Sequence, residues 1–79
     1  MTYKLFDEVV LLEDISAKGF KKGDVATVVE HHPIENGEDG YSLEIFNTRG
    51  DTIAVITLPE SAIAPLQGNE IFTVRALAA

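Results

Sequence analysis

Apolar and polar positions along this chain fall into short runs separated by turn-forming residues, the spacing of a small sandwich or barrel. Residues 7–13 set Val9, Val10, Leu11 and Leu12 between acids, so both faces of this first strand are apolar at its centre and it belongs in the interior. Residues 24–32 form the strongest strand in the chain, β-branched at Val25, Thr27, Val28 and Val29. The stretch between them is too long for a tight hairpin, and Gly19 and Gly23 supply the positive φ that a folded-over loop needs. Residues 33–40 are loop by composition, with Asn36-Gly37 and Asp39-Gly40 in turn positions.

Residues 41–46 alternate, which places Tyr41, Leu43 and Ile45 on one face and Ser42 and Glu44 on the other. A hairpin loop over residues 47–51, with Gly50 in its left-handed position, leads into a strand over residues 52–57. Leu58, Pro59, Glu60 and Ser61 predict a single 3₁₀ turn, because Pro59 presets φ and the segment is short. A last strand covers residues 62–66, where Pro65 marks an edge or a strand end. The tail, residues 67–79, admits two readings. Ile71, Phe72, Thr73 and Val74 favour a strand, while Asn69 would cap a short helix running from Arg75 to Ala79; the strand is the preferred reading.

Strand, long loop, strand, hairpin, hairpin, 3₁₀ turn and strand together describe an all-β fold, a small SH3-like barrel of five strands spanning residues 1–66, with a C-terminal extension over residues 67–79. The expected core is Val9, Leu11, Val25, Val28, Leu43, Ile45, Ile53, Val55 and Ile63. With 79 residues, 46% of them hydrophobic and 24% charged, the chain makes one domain around one core. Cysteine is absent, which removes disulfides, thiolate metal sites and thiol nucleophiles, so packing alone holds the domain. No apolar run approaches the roughly 20 residues of a membrane span, and acids arrive too early for a signal peptide. A soluble, cytoplasmic protein with no membrane partner is expected.

Thirteen acids face six scattered bases, for a net charge of -7. Nucleic-acid binding is therefore not expected, since its affinity comes mainly from clustered Lys and Arg on phosphates. An acidic field instead speeds association with a basic partner protein.

Three constellations invite chemistry, and each meets a physical objection. His31 and His32 are adjacent on a strand, point to opposite faces, and so cannot clasp one ion together; a third ligand would have to come from Glu30 or Glu35, at a spacing that matches no zinc pattern. Residues 35–40 hold carboxylates, an amide and glycines but lack the alternation of a calcium loop. Ser16, Ser42 and Ser61 have no strand-to-helix elbow, and the histidines have no evident carboxylate to orient them. No cofactor and no enzymatic activity are expected. A proline-rich ligand groove is disfavoured too, because tryptophan is missing and the aromatics are dispersed.

Residues 5–11, the stretch from Gly19 to Glu30 and the stretch from Thr57 to Pro65 together resemble a family of small bacterial proteins of unknown function, frequent in cyanobacteria. Its members carry a strand, a Gly-x-x-x-Gly-Asp-x-Gly-Thr-Val core and a Leu-Pro-x-x-x-Leu ending. Here Ala26 stands where that pattern has glycine, which predicts ordinary strand at this position. The resemblance implies a stand-alone SH3-like barrel, often encoded beside a small toxin-like partner, and it implies no catalytic residue.

Two segments point to a protein interface. Phe20 follows Gly19 in the long loop and is flanked by Lys18, Lys21 and Lys22, which makes either an exposed aromatic with a basic rim or a ring folded over the end of the barrel. Ile71, Phe72 and Val74 form a β-prone strand that needs a partner edge in the same chain or in a second copy, the latter giving a homodimer. The function these features suggest is a non-enzymatic protein-binding module, the neutralising, antitoxin-like partner of a small toxin-like protein. The alternative is an accessory or regulatory subunit of a larger enzyme.

Overall fold

The computed structural model describes residues 2–77. Five strands make one antiparallel sheet in the order β4-β3-β2-β1-β5. They are β1 (Glu8–Leu11), β2 (Val25–His32), β3 (Gly40–Phe46), β4 (Thr52–Pro59) and β5 (Ile63–Pro65). A 3₁₀ turn, Glu60–Ala62, precedes the last strand as expected, although β4 runs on through Pro59 and shifts the turn forward. A second 3₁₀ turn, Ser16–Lys18, lies in the long loop and closes on Gly19 at φ 77, in the left-handed region that glycine enters at no steric cost. Gly50 takes φ 84 in the β3–β4 hairpin, also as expected. Among the described residues there is no α-helix, and no helix long and apolar enough to cross a membrane.

Inner faces of all five strands meet in one cluster, so the sheet curls around its core in a way compatible with an SH3-like barrel. The ladders place inward residues opposite one another: Val9 with Ala26, Val28 with Leu43, Leu43 with Ile56, and Leu11 with Ile63. Tyr3 and Phe20 close the ends of the cluster from outside the strands. Ala26 is buried in regular strand, which agrees with its departure from the glycine pattern.

Six of the nine expected core residues are buried, namely Val9, Leu11, Val28, Leu43, Ile45 and Ile63. Val25, Ile53 and Val55 are not. Val25 is half-buried and pairs with Val10 on the outer face; β2 is apolar on both faces here, so alternation offers no means of choosing. In β4 the register shifts between Ile45, which pairs with Ala54, and Phe46, which pairs with Thr52. Ile53 is the extra residue of a bulge. That bulge turns Ala54, Ile56 and Leu58 inward and leaves Ile53 and Val55 exposed at 42% and 55%. A second bulge, at Val29, lies between the pairs Val28–Leu43 and Glu30–Ser42.

The tail differs from expectation as well. Residues 70–77 belong to no strand, so the preferred reading over residues 70–74 is corrected; the helix reading ran into residues 78 and 79, which lie outside the described residues. Arg75 explains the outcome, because it fastens this segment by its side chain to the loop before β2 instead of letting the backbone run along an edge.

Candidate functional site

The tail leaves β5, turns at residues 67–70 and crosses the end of the sheet. Glu70 N–H donates to the Gln67 carbonyl at 3.1 Å, and the Glu70 carboxylate accepts from Gln67 N–H, which fixes the turn locally. Arg75 then engages Asp24 with both branches of its guanidinium: Nε donates to Oδ1 at 3.1 Å and Nη2 to Oδ2, while Nη2 also reaches the Gly19 carbonyl at 3.1 Å. This forked geometry is specific to arginine. Asp24 in turn accepts from Lys21 N–H at 2.8 Å.

Between tail and sheet runs an open trough of about 810 Å³, walled by Val10, Val25, Phe46 and Ile53 on one side and by residues 70–75 with Leu77 on the other. All six residues expected at an interface, Phe20, Lys21, Lys22, Ile71, Phe72 and Val74, line it. Phe20 does so from within the core. It is only 4% exposed and pairs through its backbone with Ile15, so it folds over the end of the sheet and is corrected as an exposed anchor. Lys21 and Lys22 are exposed at the rim. Ile71, Phe72 and Val74 are exposed at 87%, 70% and 86%. Phe46 and Ile53, which sequence reasoning did not assign to a surface, add to the same apolar exposure.

A second cluster surrounds the histidines. His31 pairs with Tyr41 across the ladder and stacks on its ring at 4.9 Å, and its Nε2 donates to Asp39 Oδ2 at 2.8 Å. A carboxylate therefore does orient a histidine, contrary to the sequence expectation; the turn at residues 33–39 folds back and brings it there. Tyr41 lies edge-on to Tyr3, whose backbone N–H donates to the Tyr41 hydroxyl at 3.2 Å. His32 occupies the opposite face, as alternation requires, with Nε2 2.7 Å from Ser42 Oγ; Ser42 Oγ is 3.3 Å from Thr57 Oγ1. This chain of hydroxyls crosses three strands and keeps Ser42, itself buried, fully partnered. Among the described residues no group of three or more His, Cys, Asp or Glu could hold a metal ion.

Two carboxylates are held below their ordinary range and so contribute acid sensitivity to the fold. The hydrogen bond from His31, with that from Ile34 N–H, holds Asp39 below the ordinary carboxylate range. Burial pushes Asp24 up, but the Arg75 and Lys21 hydrogen bonds together outweigh it and hold Asp24 low as well. A carboxylate with a depressed folded-state pKa contributes stability that is present above its unfolded value, roughly 3.9, and is lost as pH falls through the folded value. The urea midpoint is thus expected to fall below about pH 4, and to fall less steeply in Asp24→Asn and Asp39→Asn; an identical acid limb in both variants would remove these groups from the account.

The geometry defines an all-β domain on one curled antiparallel sheet, with one exposed apolar trough beside the tail and polar side chains tied across its strands. The chain belongs to the family described as Domain of unknown function (DUF4926), which matches residues 5–65. That span contains all five strands and ends where the tail begins. No curated protein and no solved structure shows a significant match.

Proposed function

We propose that this chain is a cytoplasmic, non-enzymatic protein-binding module of SH3-like design, and that it neutralises a small, basic, toxin-like partner in the manner of an antitoxin. The observation that carries this reading is the collection of Phe46, Ile53, Ile71, Phe72 and Val74, all exposed, around a single trough. Contiguous exposed apolar surface rimmed by polar groups is the usual mark of a protein contact. The rim itself is nearly balanced, with Lys21, Lys22 and Arg75 against Asp24 and Glu70. Attraction of a basic partner therefore comes from the net charge of -7 on the whole chain, which acts on the rate of encounter, while the apolar walls supply residence time.

The test is recovery of the tagged protein from its native host at low salt, alongside the variant Phe46→Asp, which changes an exposed wall residue and leaves the core intact. A stoichiometric small basic protein, retained by the parent and lost by the variant, is the expected result. Recovery of a large enzyme in its place would assign the accessory-subunit role, and recovery of no stoichiometric partner would overturn the binding reading.

A further inference from the structure

The sheet has one long open edge. β4 runs eight residues at the end of the strand order and, among the described residues, no strand pairs with its outer side. Natural edges are blunted by charges, by proline or by bulges that turn them away. β4 carries no charged residue from Thr52 to Pro59, its proline is the last residue, and its bulge lies near its beginning. The other edge, β5, is three residues long and ends in the tail itself, so it offers no comparable template.

The same chain holds a segment of matching kind. Residues 71–77 are β-prone and belong to no strand or helix, with side chains of Ile71, Phe72 and Val74 almost wholly exposed. Within one copy this segment stays off β4, because Arg75 is fastened at the start of β2, two strands away. We propose that residues 71–77 of one copy add as a strand to the β4 edge of a second copy, and that the exchange is reciprocal, giving a two-fold symmetric dimer. Ile71, Phe72 and Val74 also wall the trough assigned to the basic partner, so the two contacts compete for one segment.

Three observations select a second copy as the occupant. Lengths agree: at about 3.3 Å per residue the edge of β4 spans roughly 26 Å and residues 71–77 roughly 23 Å. Charges agree, since the segment holds Arg75 and no acid, while β4 is bracketed by Asp51 and Glu60 in a chain of net charge -7. Backbone needs agree as well, for an edge with free N–H and C=O groups meets an extended strand with the same. The exchange gives up the partly buried clasp of Arg75 on Asp24 and its hydrogen bond to the Gly19 carbonyl, which the new ladder of backbone hydrogen bonds along β4 offsets.

The experiment uses purified protein alone, which separates it from partner capture. The natural chain has no cysteine, so Val74→Cys and Val55→Cys each create a unique thiol, and with the segment centred on β4 position 74 falls opposite the middle of the strand in either direction. Mixing the two single variants with a short thiol-reactive linker is expected to give cross-linked dimer well above that of either alone. Val55→Lys, a charge at an exposed edge position, is expected to convert a dimer seen by light scattering into a monomer with unchanged circular dichroism. Deletion of residues 67–79 is expected to do the same. A monomeric full-length protein, a dimer that survives the deletion, or equally efficient cross-linking by Val55→Cys alone would overturn the proposal, the last by showing β4 paired with β4.

Discussion

Val28→Asp is expected to leave the chain unfolded. Val28 is fully buried in β2, packed opposite Leu43, with its N–H donating to the Asp7 carbonyl at 2.9 Å and its carbonyl accepting from Phe6 N–H at 2.6 Å. A carboxylate placed there has no cation within the cluster, and burying an unpaired charge costs several kcal/mol or more. Natural domains carry about 0.05–0.15 kcal/mol of stability per residue, so a chain of this length has roughly 4–12 kcal/mol to lose. Circular dichroism should show loss of the β signal at neutral pH. Val55→Asp is the control: Val55 neighbours Ile56 and Ala54 in sequence but faces outward, and the same charge there should keep the β signal and change the stability of the monomer fold by about 0.5 kcal/mol or less. If Val28→Asp folds, the core is not where these strands place it.

Tyr41→Ala should be nearly as damaging, at about 3–5 kcal/mol, the range for removing a large buried aromatic side chain. Tyr41 is wholly buried and joins three parts of the molecule: Tyr3 from the N-terminal segment, His31 from β2, and Leu58 across the ladder in β4. Removal of the ring leaves a cavity and strands the backbone N–H of Tyr3, which donates to its hydroxyl. Tyr41→Phe separates the two effects. It keeps the ring and loses the hydroxyl, which accepts from Tyr3 N–H at 3.2 Å and donates to Glu60 Oε1 at 3.5 Å, a loss of about 1 kcal/mol. Urea unfolding of the three proteins checks the order; equal midpoints for Tyr41→Ala and Tyr41→Phe would mean that the ring does not hold the segments together.

Strand positions were legible because β-branched runs alternate with glycine, proline and acidic turns, and that contrast is local. Val25, Thr27, Val28 and Val29 lie within one strand, as their branching requires, and Pro59 lies immediately before the 3₁₀ turn. Facing was less legible. A run such as Ile53-Ala-Val-Ile56 satisfies alternation in either phase, and only pairing with β3 across the bulge selects Ala54 and Ile56. The site was legible in part: the six residues chosen for apolarity and charge surround one trough, yet the burial of Phe20 depends on the pairing of Ile15 with it across a loop that composition does not describe. Phe46 escaped notice because it was read only as a strand residue, and Ile53 because it was placed in the core. Asp39 reaches His31 through the course of the turn at residues 33–39, for which the sequence carries turn signals but no geometry.

The two bulges also bear on how this chain can change length. They sit on the two neighbours of β3, Val29 opposite its middle, between the partners of Ser42 and Leu43, and Ile53 near its end. A one-residue slide of β3 against either neighbour would have to relocate a bulge as well as reverse every facing. The central strand is therefore keyed in place from both sides, and its alignment does not depend on the connections that lead into and out of it. Insertions or deletions in the turns at residues 33–39 and 47–51 can be absorbed where they occur, with the sheet acting as a fixed frame and the turns as its replaceable parts.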